Sequence, residues 1–295
     1  MHNPHAATPR RARFGGPLLA LAALLVCTSS ATAAPDTSTP AAASAPAQAP
    51  VQAPADDAML QQGFARWVAA FRTGARAAGI AEATLSAAFD DARYLPRVIE
   101  LDRSQPELTR TIWDYLDTAV SPQRVAQGQD KLLQFRAQAE AAAARYGVAP
   151  AIVAAIWGLE SKYGEHIGNT ATIDALATLA FEGRRETWAR GQLLAALKIL
   201  QSGDITRANM IGSWAGAMGQ TQFLPASFLS YAVDADGDGR RDIWGSVADV
   251  LASTANFLAR SGWRADQPWG AEVRLPAGFD VGPSRRPRWW TTCNA

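Results

Sequence analysis

The 295-residue chain holds two cysteines, Cys27 and Cys293. Removal of an N-terminal segment carrying Cys27 would leave Cys293 alone, which excludes an internal disulfide, so stability must come from a core. Net charge is equally scarce. With 28 Lys and Arg against 27 Asp and Glu, the formal charge is +1, so no global field draws the chain to an anionic membrane, and nucleic acid is not an expected partner. The apolar run at 17–26 is about half of the roughly 20 residues that a membrane span requires. Alternating strand patterns are few, 272–275 being the best of them, and no internal repeat is evident.

Hydrophobic residues make up 48% of the sequence, enough to bury a sizeable core in one large or two modest domains. The N-terminus places Arg10, Arg11 and Arg13 before the apolar run and Ala31-Thr32-Ala33 after it. That order is a secretory signal over 1–33, so the expected location is periplasmic after cleavage. Leu24-Leu25-Val26-Cys27 also resembles a lipobox, which would anchor Cys27 to lipid, although Val26 stands where a small residue is usual. Residues 34–57 are Ala, Pro, Ser, Thr and Gln without periodicity and read as a disordered tether.

From Met59 helical spacing takes over. Phe64, Trp67, Val68 and Phe71 fall on one face of an amphipathic helix. Pro122 begins another that runs to Tyr146-Gly147, where glycine can end it. Further helical windows are 150–163, 172–181, 186–201, 225–232 and 246–261. The expected organisation is an N-terminal helical part at 58–145, a site-bearing core at 146–280 and an atypical tail at 281–295.

The stretch "AIWGLESKYG" at 155–164 sets one carboxylate in an apolar run. Ile152, Ile156 and Glu160 are four apart and share one side of a helix. A carboxyl continuing an apolar stripe loses water, which raises its pKa, and the negative end of the helix dipole pushes the same way. Such an acid can protonate a glycosidic oxygen. The residues leave a second reading open, in which Glu160 turns to solvent and pairs with Lys162 or Arg145.

Three colinear blocks, "GLESKYGEHIGNTATIDALATLAF", "GSWAGAMGQTQFLPASF" and "DADGDGRRDIW", resemble the bacterial membrane-bound lytic murein transglycosylase B family over about 60–280. The resemblance implies a mainly α fold: a lysozyme-like helical core with a preceding helical part, an EF-hand-like loop and little β structure. It also implies a peptidoglycan lytic transglycosylase whose acid/base maps to Glu160. Retaining glycosidases usually pair an acid with a second carboxylate, and none is placed here by motif; Glu165, Asp174 and Glu182 are the nearest acids. In the family the sugar attacks itself: the C6 hydroxyl of N-acetylmuramic acid closes onto C1, giving a 1,6-anhydro product, with no metal in the chemistry.

The small residues at 212–219 permit close backbone approach to a ligand, and Gln220 and Gln222 offer amides suited to acetamido groups. By resemblance Ser213 orients substrate, Gln222 lines the cleft, Tyr163 belongs to the substrate-binding set, and Arg184-Arg185 meet carboxylates of the stem peptide. Asp234, Asp236 and Asp238 stand at positions 1, 3 and 5 of an EF-hand loop, with the Arg240 carbonyl at 7. Position 12 is Gly245, so the standard motif fails. The family's longer variant maps the late carboxylate to Asp249, and the expectation is a structural Ca²⁺.

Two departures stand out. Phe257 follows Asn256 where many relatives have a cleft tyrosine, and the tail "GPSRRPRWWTTCNA" does not resemble the family's continuation to a late Tyr-Asn pair. Two alternatives therefore accompany the main reading: a hydrolytic muramidase, in which water replaces the C6 hydroxyl, and a non-catalytic peptidoglycan-binding or scaffold protein. The expected partners are peptidoglycan glycan strands, with association with the outer membrane or the cell-wall synthesis machinery.

Overall fold

The computed structural model describes residues 53–104 and 112–267, with isolated positions at 270, 274, 276 and 278. The expected signal, Cys27, the tether up to residue 52 and the tail at 281–295 lie outside the described residues. So does most of the expected strand at 272–275, within which Arg274 is described and is not in a strand. Every element below belongs to one compact unit that ends at Asp266.

Helix α1 (Ala53–Ala77) begins five residues before the expected end of the tether. Its buried stripe is Phe64, Val68, Phe71 and Ala75, a 3–4 spacing that gives a helix one apolar face. The Phe64 ring meets Phe181 edge-on with centroids 5.7 Å apart. Helix α2 (Glu82–Phe89) folds back against α1. Arg72 and Arg76 bind Glu82, and Gln201 accepts from the Ala81 N–H at 2.7 Å. Helices α3 (Pro96–Ser104) and α4 (Ile112–Ala119) follow.

The single helix expected from 122 to 146 is two, α5 (Pro122–Gln134) and α6 (Arg136–Tyr146). Phe135 breaks it with φ −112° and ψ 33°, and its ring packs edge-on against Trp157 at 5.9 Å. Tertiary burial of an aromatic here overrides a continuous helical pattern. At the start of α5 the Ser121 side chain accepts from the Arg124 N–H at 3.4 Å, and Gly147 ends α6 in the left-handed conformation.

The later helices fall close to their expected windows: α7 (Pro150–Ser161), α8 (Thr172–Glu182), α9 (Glu186–Ser202), α10 (Pro225–Tyr231) and α11 (Val247–Arg260). Helix α8 is the centre, with every residue from Thr172 to Ala180 buried. It packs on α9, while α11 lies against α6 and α7. The regular β structure among the described residues is two-residue strands, β1 (Thr170–Ala171) and β2 (Ile211–Gly212), paired antiparallel with Thr170 opposite Gly212. This short ladder ties the chain leaving α7 to the chain leaving α9.

Candidate active site

Helix α7 presents Val153, Ala154, Trp157, Gly158, Glu160 and Ser161 to the interior. Ile152 and Ile156 are half-buried, so Glu160 lies deeper than the apolar stripe that leads to it. Glu160 is 6% exposed, and its carboxyl group has neither a hydrogen bond nor an ion pair among the described residues. Neither solvent-facing partnership forms, because Lys162 binds Glu165 at 2.7 Å and Arg145 lies over the Tyr146 ring at 5.3 Å. Burial without compensation favours the neutral carboxyl, and it pushes the pKa of Glu160 up to about 7.

The helix ends at Ser161, two residues before the expected limit at 163, because Lys162, Tyr163 and Gly164 have φ of 50°, 57° and 90°. A non-glycine residue in this region costs about 1–2 kcal/mol, so something must hold Tyr163 there. Its hydroxyl donates to the Arg124 carbonyl at 2.9 Å, and its ring meets Trp157 edge-on at 5.5 Å. The ring fills a slot that exists because positions 128 and 158 are glycine; a methyl group at either would collide with it. Tyr163, expected beside substrate, is thus a buried pin between α5 and α7.

A methyl group at Gly164 would stand 2.5 Å from the side-chain oxygen of Gln220. That glutamine accepts from the Trp157 indole N–H at 2.8 Å and donates to the Trp244 carbonyl at 2.8 Å. With both ends of its amide engaged, Gln220 is a clamp rather than the sugar contact expected of it. Gln222 differs: its Nε2 donates to the carbonyls of Ile167 and Gly219, at 3.2 and 2.8 Å, which leaves Oε1 to accept from a ligand. Ser213 is buried, and its Oγ accepts from the Ala217 N–H at 3.1 Å, so its own hydroxyl proton can be donated elsewhere. The 211–222 segment is therefore stitched to α7 by Gln220, and to 163–171, the turn and strand that follow Glu160, by Gln222 and the β ladder.

The nearby acids are already committed. Glu165 binds Lys162 and accepts from Gln127, Glu182 binds Arg103 at 2.7 Å, and Asp174 binds Arg207 at 2.7 Å. Arginine partners hold the Glu182 carboxyl below the usual range, and Lys162 does the same for Glu165. Arg184 is committed as well. Its guanidinium grips the buried Asp102 side chain at 2.5 Å and the Asp102 carbonyl at 2.8 Å, and Arg185 stands 3.5 Å from the other carboxylate oxygen. The pair expected to meet a stem peptide fastens α3 to the α8–α9 turn. Asp102 itself gave no sequence signal, since its partners lie some 80 positions away.

In the loop before α11, oxygens of Asp234, Asp236 and Asp249 lie within 4.8 Å of one another. Asp249 is fully buried, and burial raises its pKa, with the Asp236 charge adding to the effect. Its oxygens accept from the N–H groups of Ala235 and Asp242 at 2.7 and 2.6 Å. Three converging carboxylates, one of them buried, fit a hard divalent cation with oxygen ligands. Asp238 does not join the group: it binds the Arg240 N–H at 2.8 Å and the Arg240 guanidinium at 3.1 Å. Gly245, at the position of the missing glutamate, instead donates its N–H to Asp242 at 2.8 Å.

A family model described as the transglycosylase SLT domain matches residues 63–291. Membrane-bound lytic murein transglycosylase B of Escherichia coli K12 is 37% identical over 171 residues, covering 56% of this chain and 47% of that protein. The structure of SltB3 from Pseudomonas aeruginosa in complex with NAG-NAM-pentapeptide superposes with a TM-score of 0.71 at 59% identity, over 74% of this chain and 58% of that one. Slt35 of Escherichia coli, solved with calcium, gives a TM-score of 0.62 at 30% identity, over 70% of this chain and 65% of that one. The chain thus spans about half the length of the curated relative. The mainly helical, lysozyme-like architecture expected from the sequence is the one these structures share with it.

Proposed function

The chain belongs to the transglycosylase SLT family, and from that premise we propose that it cleaves the β-1,4 bond between N-acetylmuramic acid and N-acetylglucosamine in peptidoglycan without water. The observation that carries the reading is Glu160, a buried acid whose proton is retained up to about pH 7, while Glu165, Asp174 and Glu182 are each held in an ion pair. In its neutral form it protonates the glycosidic oxygen as the bond breaks. The resulting carboxylate then takes the proton from the muramyl C6 hydroxyl as that oxygen closes onto C1. One group serves as acid and then base, and the product is a 1,6-anhydro sugar. The Ser213 hydroxyl and Gln222 Oε1 are the groups we assign to orienting the sugar.

The commitment of Glu165, Asp174 and Glu182 to cations supports this route over one with a carboxylate nucleophile, since each would have to abandon an ion pair to act. Asp234, Asp236 and Asp249 would hold Ca²⁺, and the ion would supply charge neutralisation that fixes the loop. Glycan strands are the proposed partner, and the cell envelope the proposed site of action. There the periplasmic location, attachment to the outer membrane and association with the wall-synthesis machinery remain part of the proposal. Mass spectrometry of sacculi digested by the purified protein tests the chemistry. Anhydromuramyl ends are expected, reducing ends alone would replace the reading with a hydrolytic muramidase, and Glu160→Gln should lower turnover by about 10²–10⁴-fold. If wild type and variant are equally inert yet bind sacculi, the scaffold reading takes over.

A further inference from the structure

We propose that Trp244 is a positioning residue for the sugar cleft: its indole holds the Ser213 end of the 211–222 segment, and Asp242 shapes the turn that aims it. The consequence for substrate rests on the peptidoglycan reading above. Residues 243 and 244 are where the acidic loop meets 211–222, and they hold the two ends of that segment by different means. At the Gln220 end the loop offers backbone alone: the Gln220 N–H donates to the Ile243 carbonyl and its side-chain amide to the Trp244 carbonyl, both at 2.8 Å. The approach is close enough to require glycine at 219, where φ is 58° and a methyl group would stand 2.7 Å from the Ile243 carbonyl oxygen. At the other end the contact is a side chain. The Trp244 indole N–H donates to the Ile211 carbonyl at 2.9 Å. Ile211 and Gly212 form β2, and Ser213 follows directly.

The Ser213 turn is closed on itself, because the Ser213 N–H donates to the Ala217 carbonyl at 2.7 Å and Ser213 Oγ accepts from the Ala217 N–H at 3.1 Å. Where that closed turn stands relative to Glu160 is set from outside, by the β ladder to 170–171 on one side and by the indole on the other. The indole is itself well supported. Its ring packs against Phe228 with centroids 5.8 Å apart. The N–H groups of Trp244 and Gly245 both donate to Asp242 Oδ1, at 2.9 and 2.8 Å, which closes a tight turn beneath the ring. The Asp242 N–H donates to Asp249 of α11 at 2.6 Å, and the neighbouring Arg241 is gripped at 2.6 Å by the buried Asp204, just past α9. The donor is thus presented from a turn anchored to two helices, neither of which carries Glu160. Packing against Phe228 needs only a ring, whereas the bond to Ile211 needs an indole N–H. That difference separates a positioning role from a filling one.

Trp244→Phe keeps a ring and removes the donor. Amide exchange followed by NMR should show Ser213, Gly216 and Ala217 exchanging about fivefold faster, the worth of one hydrogen bond, with Gln220 and the buried amides of α8 unchanged. The same variant should raise KM for glycan strands about fivefold and hold kcat within about twofold, because Gln220 still ties α7 in place. Asp242→Ala should give the same exchange pattern. Asp242→Asn, whose amide oxygen can still accept from both N–H groups, should match wild type. Unchanged exchange at 213–217, or acceleration shared equally by α8, overturns the role, and so does an Asp242→Asn variant that behaves as Asp242→Ala does. An unchanged KM beside a freed Ser213 overturns its bearing on the cleft. If Trp244→Phe does not fold, the two Asp242 variants decide by the same readout. Exchange requires no substrate, so a wild type without turnover refutes the transglycosylase reading while the exchange pattern still decides the role of Trp244.

Discussion

The indole N–H of Trp157 donates to the side-chain oxygen of Gln220 at 2.8 Å, joining the helix that carries Glu160 to the segment that carries Ser213 and Gln222. Through its other end Gln220 reaches the Trp244 carbonyl, and its backbone N–H reaches the Ile243 carbonyl at 2.8 Å. One buried side chain thus connects α7, the 211–222 segment and the acidic loop. Gln220→Leu keeps the bulk but orphans a buried indole N–H and a carbonyl, each costing about 1–3 kcal/mol. Urea unfolding should show a loss of about 2 kcal/mol or more, with turnover falling further than stability alone explains. A variant as stable as wild type would deny Gln220 this role.

Burial of Glu160 makes stability depend on pH in a defined direction. The folded protein binds this proton more tightly than the unfolded chain, so stability is greatest below the ordinary glutamate range and falls as pH rises towards about 7. Glu160→Gln removes the cost of ionising a buried group. The variant should be more stable than wild type at pH 8, by about 3 kcal/mol, with the gain vanishing near pH 4. Parallel denaturation curves at the two pH values check this. In wild type kcat/KM should decline above pH 7 as the acid form is lost.

Calcium should raise the thermal midpoint, and a roughly hundredfold excess over Kd corresponds to about 2.7 kcal/mol. Asp236→Asn should lose most of that response. Asp238→Ala should keep it, because the Asp238 carboxylate is turned onto Arg240 and away from the other three. Equal losses in both variants would restore Asp238 to the ligand set.

Arg184→Ala leaves the Asp102 carboxylate, 1% exposed, with only Arg185 at 3.5 Å. Uncompensated buried charge is expensive, and a loss of about 2 kcal/mol is expected in urea unfolding. Arg184→Lys should recover part of it, since an ammonium cannot serve the carboxylate and the carbonyl together as the fork does. A rise in KM without loss of stability would return Arg184 to the substrate.

The later helices were legible in the sequence because their limits are local. Proline opens α7 and α10, and left-handed glycines follow α8 and α9. The position of Glu160 on a buried face was legible for the same reason, from the four-residue spacing that leads to it. What was not legible depends on partners distant in the chain. Phe135 breaks a helix in order to reach Trp157, Arg184 serves Asp102 82 positions earlier, and Gln220 serves Trp157 63 positions earlier. Tyr163 sits beside the motif glutamate, yet its hydroxyl is fixed by Arg124, 39 positions away. Side-chain type alone cannot tell a free amide or phenol from one already engaged.

The slot that holds Tyr163 ties three positions into one inherited character. Gly128 and Gly158 lie on different helices, and each leaves room for the same ring. A methyl group at either position crowds the ring, and replacing the tyrosine by a small residue opens a void between two helices. Phenylalanine keeps the ring and gives up the hydroxyl bond to the Arg124 carbonyl. A lineage that keeps this turn behind its acid should therefore keep the two glycines together with an aromatic ring, and a directed-evolution library varying one of the three at a time should return the parent or Tyr163→Phe.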